Sequence, residues 1–401
     1  MSSYENVMQY RDQVYRCNTC GRCPRGPWDP NQPEAIKTPA KQCPIYETNK
    51  SLSSSSQGMM LIIRELLEEK LQPTDDLVAA MYECLLCKGC DAVCAGRDIL
   101  PLGGLECADI FRALRADFVD LGVAPPPAMK KITNLISEKH NRQGTQRKRD
   151  AWAEGMNIPT TGSTIIFTSC TSAYQDKGVV QSLAKVMQMA GMDFGLLEDE
   201  WCCGALQLDT GLLDSFKVSA QHNVDAIKKA GAKEIVVTCA DCYRTIKNDY
   251  PKYVGDLGFN VIHSSELILR LLNEKKIAFN DAVDLGGKAT YFDPCYLARG
   301  ANVIEEPRAV INAIPGIESV EMEGFGKYTY CCGRPITASG SRDTYVHTGQ
   351  DRVKDALAVN ARTIITGCVN CKESLTTAAK KLGADIKVMD IVELVAQAAS
   401  K

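Results

Sequence analysis

The chain has 401 residues, of which 45% are hydrophobic and 24% charged, as expected for a folded protein of two or three domains. Its net charge of −3 gives no basic field for binding nucleic acid. Nineteen cysteines and only four histidines are the unusual part of the composition, and they point to metal–sulfur chemistry.

The N-terminus lacks the apolar segment of a signal peptide, and no apolar run in the sequence is long enough to cross a bilayer. We therefore expect a cytoplasmic protein, at most peripheral to the inner membrane through a partner. Disulfides are then a poor account of so many cysteines, and metal ligation is the better one. Exposed clusters of this kind would suit an anaerobic or strongly reducing cell.

Two cysteine runs near the N-terminus have the spacing of a bacterial ferredoxin with two [4Fe–4S] cubanes, in which the fourth cysteine of each run completes the other cluster. The predicted ligand sets are Cys17, Cys20, Cys23 and Cys94 for one cubane and Cys84, Cys87, Cys90 and Cys43 for the other. Zinc is the competing metal, but structural zinc sites usually present paired Cys-x-x-Cys hooks or histidines.

Residues 1–110 are predicted to form this two-cubane domain, and it should be mostly helical. Five prolines between Cys23 and Cys43 exclude a helix there, so this segment should form an extended lobe that shields the cluster or docks a partner. Apolar positions recur at helical spacing from Met59 to Leu71, which predicts an amphipathic helix facing the core.

Residues 111–161 are predicted to be a connector, broken by Pro125-Pro126-Pro127. Its basic stretch from Lys139 to Arg149 is expected to be a solvated linker rather than a docking patch.

Beyond the connector, short β-branched runs alternate with helical stretches, which predicts α/β structure over 162–280 and again over 281–401. Four of these runs end just before a cysteine, at Cys170, Cys239, Cys295 and Cys368. The carboxyl ends of parallel strands are where α/β folds bind ligands, so these cysteines are candidate site residues.

The same cysteine signature occurs twice in this region: a lone Cys, then Cys-Cys-Gly, then Cys-x-x-Cys. The first copy comprises Cys170, Cys202, Cys203, Cys239 and Cys242, and the second comprises Cys295, Cys331, Cys332, Cys368 and Cys371. Five thiolates exceed the four that a cubane needs, which predicts an unusual cluster in each half. The competing interpretation is buried core thiols or a strained redox disulfide.

These motifs together resemble the catalytic iron–sulfur subunit of heterodisulfide reductases, in the fused form that joins a two-cubane domain to two cysteine-rich CCG domains. The chain is also similar to iron–sulfur subunits of hydroxy-acid and glycerol-3-phosphate oxidoreductases, and to the heterodisulfide-reductase-like subunit of class II benzoyl-CoA reductase complexes. The resemblance covers essentially the whole chain and implies a helical ferredoxin-like domain followed by a duplicated α/β pair.

In that family each five-cysteine motif binds a noncubane [4Fe–4S] cluster, and a disulfide is cleaved between two such clusters. The resemblance therefore implies two cubane and two noncubane clusters, and catalytic roles for the ten cysteines of the duplicated motif. It also implies flavin-containing or other electron-transfer partners and a thiol or disulfide substrate. The alternative function is a non-catalytic relay between a flavin partner and a quinone or low-potential reductase. A purely structural metalloprotein is improbable because both ligand sets are complete.

The chain departs from the family pattern at three places. Tyr296 follows Cys295 where the family often has histidine, Ala95 rather than proline follows Cys94, and Arg334-Pro335-Ile336 replaces a run of glycines after Cys-Cys-Gly. Arg334 is a candidate for binding an anionic substrate, although an arginine that is solvated or paired with a carboxylate is the competing interpretation.

The remaining candidates are weaker. Cys107 has no partner by spacing and is expected to be a buried core thiol. His222, His263 and His347 are expected to pack or meet solvent, and His263 to cap a helix that begins at Ser264.

Overall fold

The computed structural model describes residues 4–25, 41–94, 104–123, 125–334 and 342–400. The proline-rich segment between Cys23 and Cys43 lies almost wholly outside these residues, as do Ala95, Pro335 and Ile336.

The N-terminal part is helical, as the cysteine spacing predicts. Its helices are α1 (Glu5–Met8), α2 (Arg11–Arg16), α3 (Arg22–Arg25), α4 (Pro44–Asn49), α5 (Ser56–Leu67), α6 (Asp75–Tyr82), α7 (Gly89–Ala92) and α8 (Cys107–Asp120). These helices enclose a hydrophobic core of their own.

Helix α5 confirms the predicted amphipathic helix. It begins after Ser55, whose hydroxyl accepts a hydrogen bond from the Gly58 amide, and it buries Met59 and Ile63. It ends at Leu67, four residues before the predicted end, because Glu69 adopts a left-handed backbone conformation.

The predicted connector contains part of α8, which spans the proposed 110/111 boundary, and α9 (Pro127–Lys139), which begins at the last of the three prolines. Proline is well suited to the first turn of a helix because its missing amide would have no intrahelical partner there.

The first repeat is a four-stranded parallel sheet with the order β2-β1-β3-β4. Its strands are β1 (Thr164–Phe167), β2 (Phe194–Leu196), β3 (Glu234–Val237) and β4 (Asn260–His263). Its helices are α10 (Cys170–Tyr174), α11 (Lys177–Met189), α12 (Ala205–Asp209), α13 (Leu213–Lys229), α14 (Ala240–Arg244), α15 (Tyr250–Val254) and α16 (Ser264–Asn273), with a π-helical turn over Thr245–Asp249.

The second repeat has the same strand order, β7-β6-β8-β9, so the duplication seen in the sequence is a duplication of topology. Its strands are β6 (Lys288–Phe292), β7 (Ser319–Val320), β8 (Ala361–Thr366) and β9 (Lys387–Asp390). Its helices are α17 (Cys295–Ala301), α18 (Glu305–Asn312), α19 (Arg342–Ala358), α20 (Val369–Leu382) and α21 (Ile391–Ala398).

The two repeats share one hydrophobic core. Strand β5 (Ala278–Phe279) after the first repeat pairs antiparallel with β10 (Ala399–Ser400) at the end of the second, which ties the repeats together. None of the helices in the described part of the chain is long and apolar enough to cross a lipid bilayer.

Candidate metal centres

The first five-cysteine set gathers at the carboxyl edge of its sheet. Cys170 begins α10 directly after β1, and Cys239 caps α14 after β3. Strands β1 and β3 are neighbours at the point where the strand order reverses, which is the ligand-binding crevice of open α/β sheets. Cys202 and Cys203 lie in the segment before α12, and all five thiols are buried.

The second set has the same placement. Cys295 begins α17 after β6, and Cys368 caps α20 after β8. The Sγ atoms of Cys295 and Cys331 are 3.9 Å apart, and those of Cys332 and Cys371 are 3.3 Å apart. The signature therefore assembles one compact group of thiols in each repeat, although its first and last cysteines are more than 70 residues apart in sequence.

The glycine after each vicinal pair has a backbone conformation that other residues rarely adopt. Gly204 has φ +76°, and Gly333 has φ +83°. A Cβ at Gly333 would also lie 2.9 Å from the carbonyl oxygen of Tyr345. Glycine is needed at these points because the chain must turn sharply to present both preceding cysteines to one site.

Hydrogen bonds among the thiols favour thiolate at the second cysteine of each vicinal pair. Hydrogen bonds from Cys202, the larger effect, and from Cys242 lower the pKa of Cys203 to about 5, although burial acts in the opposite direction. Bonds from Cys331 and Cys371 lower the pKa of Cys332 well below its usual range. Thiolate is the form that ligates metal, so both repeats are electrostatically alike at the expected ligands.

The donor chemistry of these sets fits iron–sulfur clusters. All nineteen cysteines are free of disulfide bonds, and the ten of the duplicated motif are buried. Soft thiolates without histidine partners select iron–sulfur clusters or zinc, and five thiolates exceed the four of a structural zinc site.

The N-terminal thiols form two further groups. Cys43, Cys84, Cys87 and Cys90, predicted to share one cubane, line a single cavity of about 30 Å³. Cys17 and Cys23 lie near Cys20 and Cys94, and their pKa values are raised, chiefly by burial and in part by these neighbouring thiols.

Contacts between thiols also connect the groups. A hydrogen bond from Cys331 is the main reason that the pKa of Cys87 falls to about 6, so the N-terminal part and the second repeat meet at expected ligands. Cys239 and Cys368 are hydrogen-bonded to each other and join the two repeats in the same way.

A cavity of about 70 Å³ lies among the thiols of the first set, where a cluster would be held. Its lining includes the five cysteines of that set and residues from elsewhere in the fold: Arg142, Asp209, Asp241, Tyr296, Arg334 and Asn370. Arg334, which follows the second Cys-Cys-Gly, lines this cavity, and its guanidinium is also ion-paired with Glu373 at 2.6 Å. Arg334 is therefore buried and paired with a carboxylate rather than solvated, and it also faces the cavity.

The basic stretch of the connector is not wholly solvated, contrary to the prediction. The side chain of Arg149 is only 10% exposed, forms an ion pair with Glu200 at 2.6 Å, and places both terminal nitrogens 3.5 Å from Cys170 Sγ. Glu200 accepts hydrogen bonds from the amides of Thr168 and Ser169, which fixes the turn that leads into Cys170. Local charge patterning gave no signal for a contact that forms only in the folded chain.

Sequence reasoning also missed the polar residues between the paired cysteines. Asn370, from the second Cys-x-x-Cys, donates to Asp241 Oδ2 at 2.5 Å and to Cys239 Sγ at 3.5 Å, both in the first Cys-x-x-Cys. Thr171 donates to Asn370 Oδ1 at 2.7 Å. The only signal in the sequence was their equivalent position in the duplicated motif.

The weaker candidates mostly behave as expected. Cys107 is buried, and its thiol lies within 4.8 Å of ligand atoms of Cys90 and Asp91. His222 stacks on Trp201, and His347 is exposed beside Asp351. His263 caps α16 in a capping box with Glu266, as predicted.

Comparisons with known proteins agree with this architecture. The family described as "4Fe-4S dicluster domain" matches residues 13–97, and the family "Cysteine-rich domain" matches residues 164–247 and 289–376. These matches and the relatives below support clusters of both cubane and noncubane type in an iron–sulfur oxidoreductase fold.

Curated relatives include one of the subunits of "Dihydromethanophenazine:CoB--CoM heterodisulfide reductase" of Methanosarcina acetivorans, which is 32% identical over 95% of this chain and 93% of the relative. One of the subunits of "Fumarate reductase (CoM/CoB)" of Methanothermobacter marburgensis is 32% identical over 80% of this chain and 62% of the relative. Both relatives are named as parts of larger redox complexes.

Among solved structures, a hypothetical protein from Helicobacter pylori aligns with 99% of this chain and 76% of its own length, with a TM-score of 0.60 at 11% identity. This likeness concerns the fold alone. With the cysteine geometry, the domain matches and the identity to the Methanosarcina protein taken together, the chain belongs to the family of heterodisulfide reductase iron–sulfur subunits.

Proposed function

We propose that the chain is the iron–sulfur subunit of a redox complex that passes electrons through two cubane clusters to two noncubane clusters and reduces a disulfide, or oxidises two thiols in the reverse direction. Reduction consumes two electrons and two protons and releases two thiols. The clusters, when bound, supply one-electron steps and iron with affinity for sulfur.

The proposed ligands are the eight N-terminal cysteines, grouped as the sequence predicts, and the five cysteines of each repeat. The order of contacts supports a route along the chain's own thiols. Cys23 lies near Cys90, Cys87 contacts Cys331, and Cys368 contacts Cys239. The series runs from the N-terminal part through the second repeat to the first.

The cavity among the thiols of the first set is the observation that carries an enzymatic role. A relay requires clusters close to one another but no charged or hydrogen-bonding side chains placed around them. Here the five thiols would hold the cluster in this cavity, and Arg142, Asp241 and Asn370 around it offer positive charge and hydrogen bonds to a substrate at the cluster. The first repeat is therefore the proposed substrate-facing half, and the second the half that receives electrons.

The proposal includes partner subunits, flavin-containing or otherwise, that exchange electrons with the N-terminal part. It also includes a cytoplasmic location with attachment to the inner membrane through such a partner. Relatives named as subunits of redox complexes support the need for partners.

The decisive experiment is an oxidative titration of the anaerobically purified chain, monitored by electron paramagnetic resonance. It is repeated in the presence of each member of a panel of thiols and disulfides. We expect a paramagnetic signal whose shape depends on the thiol supplied. A response to no thiol in the panel would favour the relay.

Two matched variants assign the signal. Cys203→Ser and Cys332→Ser each remove a ligand from one repeat, so each should lose about four of sixteen irons and keep both cubanes. The thiol-dependent signal should disappear in Cys203→Ser. Loss of all iron in either variant would contradict separate ligand sets.

A further inference from the structure

Arg299 is a buried arginine between two groups of expected cluster ligands. It lies in α17, one turn after Cys295, with Nε 2.7 Å from the carbonyl oxygen of Cys87. Nη1 donates to the carbonyl oxygens of Lys327 at 3.2 Å and Thr329 at 2.5 Å. The guanidinium thus links the N-terminal part to the loop that precedes Cys331.

Among the described residues, no carboxylate balances this charge. Within the described ranges, no Asp or Glu oxygen lies within 4 Å of the guanidinium, and its buried Nη2 has no hydrogen-bond partner. The ionisable groups that interact with it most strongly are thiols, Cys87, Cys295, Cys331 and Cys90 in order of strength. A buried cation without a counter-charge is costly, so an anion is expected beside it.

Two other buried arginines, unlike Arg299, are paired with carboxylates. Arg149 near the first set is neutralised by Glu200 at 2.6 Å, and Arg112 is paired with Asp209 at 3.1 Å. The position in the first repeat equivalent to Arg299, four residues after its lone cysteine, is Tyr174. Of the two equivalent positions, only the one in the second repeat therefore carries this cation, on the side that meets the N-terminal thiols.

We propose that Arg299 is a positioning residue whose charge raises the reduction potentials of two neighbouring clusters together, the one held by Cys43, Cys84, Cys87 and Cys90 and the one held by the second five-cysteine set. The inference rests on the cluster assignment under the proposed function. A fixed cation stabilises the more negative, reduced form of each cluster, and it acts on both because ligands of both surround it. Electrons entering the chain are thereby drawn to the second repeat.

The test compares wild type with Arg299→Gln in anaerobic redox titrations monitored by electron paramagnetic resonance. Glutamine keeps hydrogen-bond donors but removes the charge. We expect both potentials to fall, with about a tenfold change in the reduced-to-oxidised ratio at fixed potential, which is 59 mV for a one-electron couple. Cys332→Ser identifies which signal belongs to the second repeat.

Two controls separate charge from packing. Arg299→Lys keeps the charge. For both clusters, the reduced-to-oxidised ratio at fixed potential should therefore stay within threefold of the wild-type value. Arg115→Gln removes a buried arginine that donates to the Cys84 carbonyl at 2.6 Å, and it should shift the cubane signal while leaving the second-repeat signal unchanged.

The outcomes are distinguishable from failure of the proposed function. Wild type with about sixteen irons and unshifted potentials in Arg299→Gln would overturn this inference alone, whereas wild type without clusters in the repeats would overturn the function. If Arg299→Gln loses iron, Arg299→Lys decides, because a tenfold shift with the charge retained would contradict the proposal.

Discussion

At the scale of single residues, Arg334 is a candidate for contact with the charge of an anionic substrate. It follows the second Cys-Cys-Gly sequence, yet it lines the cavity formed by the first cysteine set. Its ion pair with Glu373 holds the guanidinium in place, and a charged hydrogen bond to a substrate anion is worth about 1.5–3 kcal/mol.

Charge reversal in Arg334→Glu should therefore raise the KM for an anionic disulfide about tenfold or more, with little change for a neutral one. Steady-state reduction kinetics with the two substrate types measure the difference. Glu373→Gln is the matched control, because it removes the carboxylate charge paired with Arg334 and should lower the KM or leave it unchanged. An unaltered KM in Arg334→Glu would exclude a role in binding.

At the scale of elements, the last helix of each repeat begins with the same N-terminal capping motif. His263 and Asp390 end β4 and β9, and each forms a capping box with the glutamate three residues later. The histidine also bonds the Gly367 carbonyl in the other repeat at 2.9 Å. Burial lowers the pKa of His263 to about 4, so the ring is neutral in the folded protein.

This cap predicts an acid-sensitive stability. In the unfolded chain the histidine has a pKa of about 6.5. The contribution of the neutral, buried ring to the free energy of unfolding is therefore complete above that pH and is lost as pH falls towards 4. By pH 5 the loss is about 2 kcal/mol of unfolding free energy. His263→Asn retains a capping side chain that does not titrate, so its anaerobic unfolding between pH 7 and pH 5 should be flatter. Equal slopes in the two proteins would show that His263 does not titrate as described.

Element prediction succeeded where the sequence signal is local. Four short runs of strand-forming residues were predicted to lead into cysteines, and all four form strands. They are β1, β3, β6 and β8, which precede Cys170, Cys239, Cys295 and Cys368. Strands β2 and β7 were missed because Phe194–Leu196 contains a glycine and Ser319–Val320 has only two residues. Those edge strands form because the sheet beside them offers hydrogen bonds.

At the scale of the whole molecule, one buried charged cluster holds the three parts together. Asp209 of the first repeat pairs with Arg112 from α8 at 3.1 Å and with Arg244 at 3.3 Å. It also accepts a hydrogen bond from Tyr296 of the second repeat at 3.0 Å. Tyr296 is one of the residues at which the sequence departs from the family pattern, and the tyrosine hydroxyl makes this interdomain bond.

Asp209→Asn should therefore destabilise the protein by about 1.5–3 kcal/mol, because two buried arginines lose one of the two carboxylates that they share, while Asp249 stays paired with both. Anaerobic urea unfolding measures the cost. The control is Glu234→Gln, which removes the partly exposed Arg270–Glu234 pair at 2.6 Å and should cost about 0.2–1 kcal/mol. A cost for Asp209→Asn no larger than for the control would show that the cluster does not hold the parts together.

The cysteine sets and the duplication were readable from the sequence because thiol ligands must recur at fixed spacing. The residues that link the sets were not. Arg299 and Cys87 meet across 212 positions, and Asn370 reaches Cys239 across 131. Such contacts depend on how the repeats pack, and a single sequence carries no local pattern for that.

The central claim is that four separate clusters occupy these thiol groups, and iron counting on the anaerobically purified chain tests it most directly. The account predicts about sixteen irons per chain, with electron paramagnetic resonance resolving cubane and noncubane signals. About eight irons, with cubane signals only, would contradict it, because the duplicated five-cysteine sets would then hold no cluster.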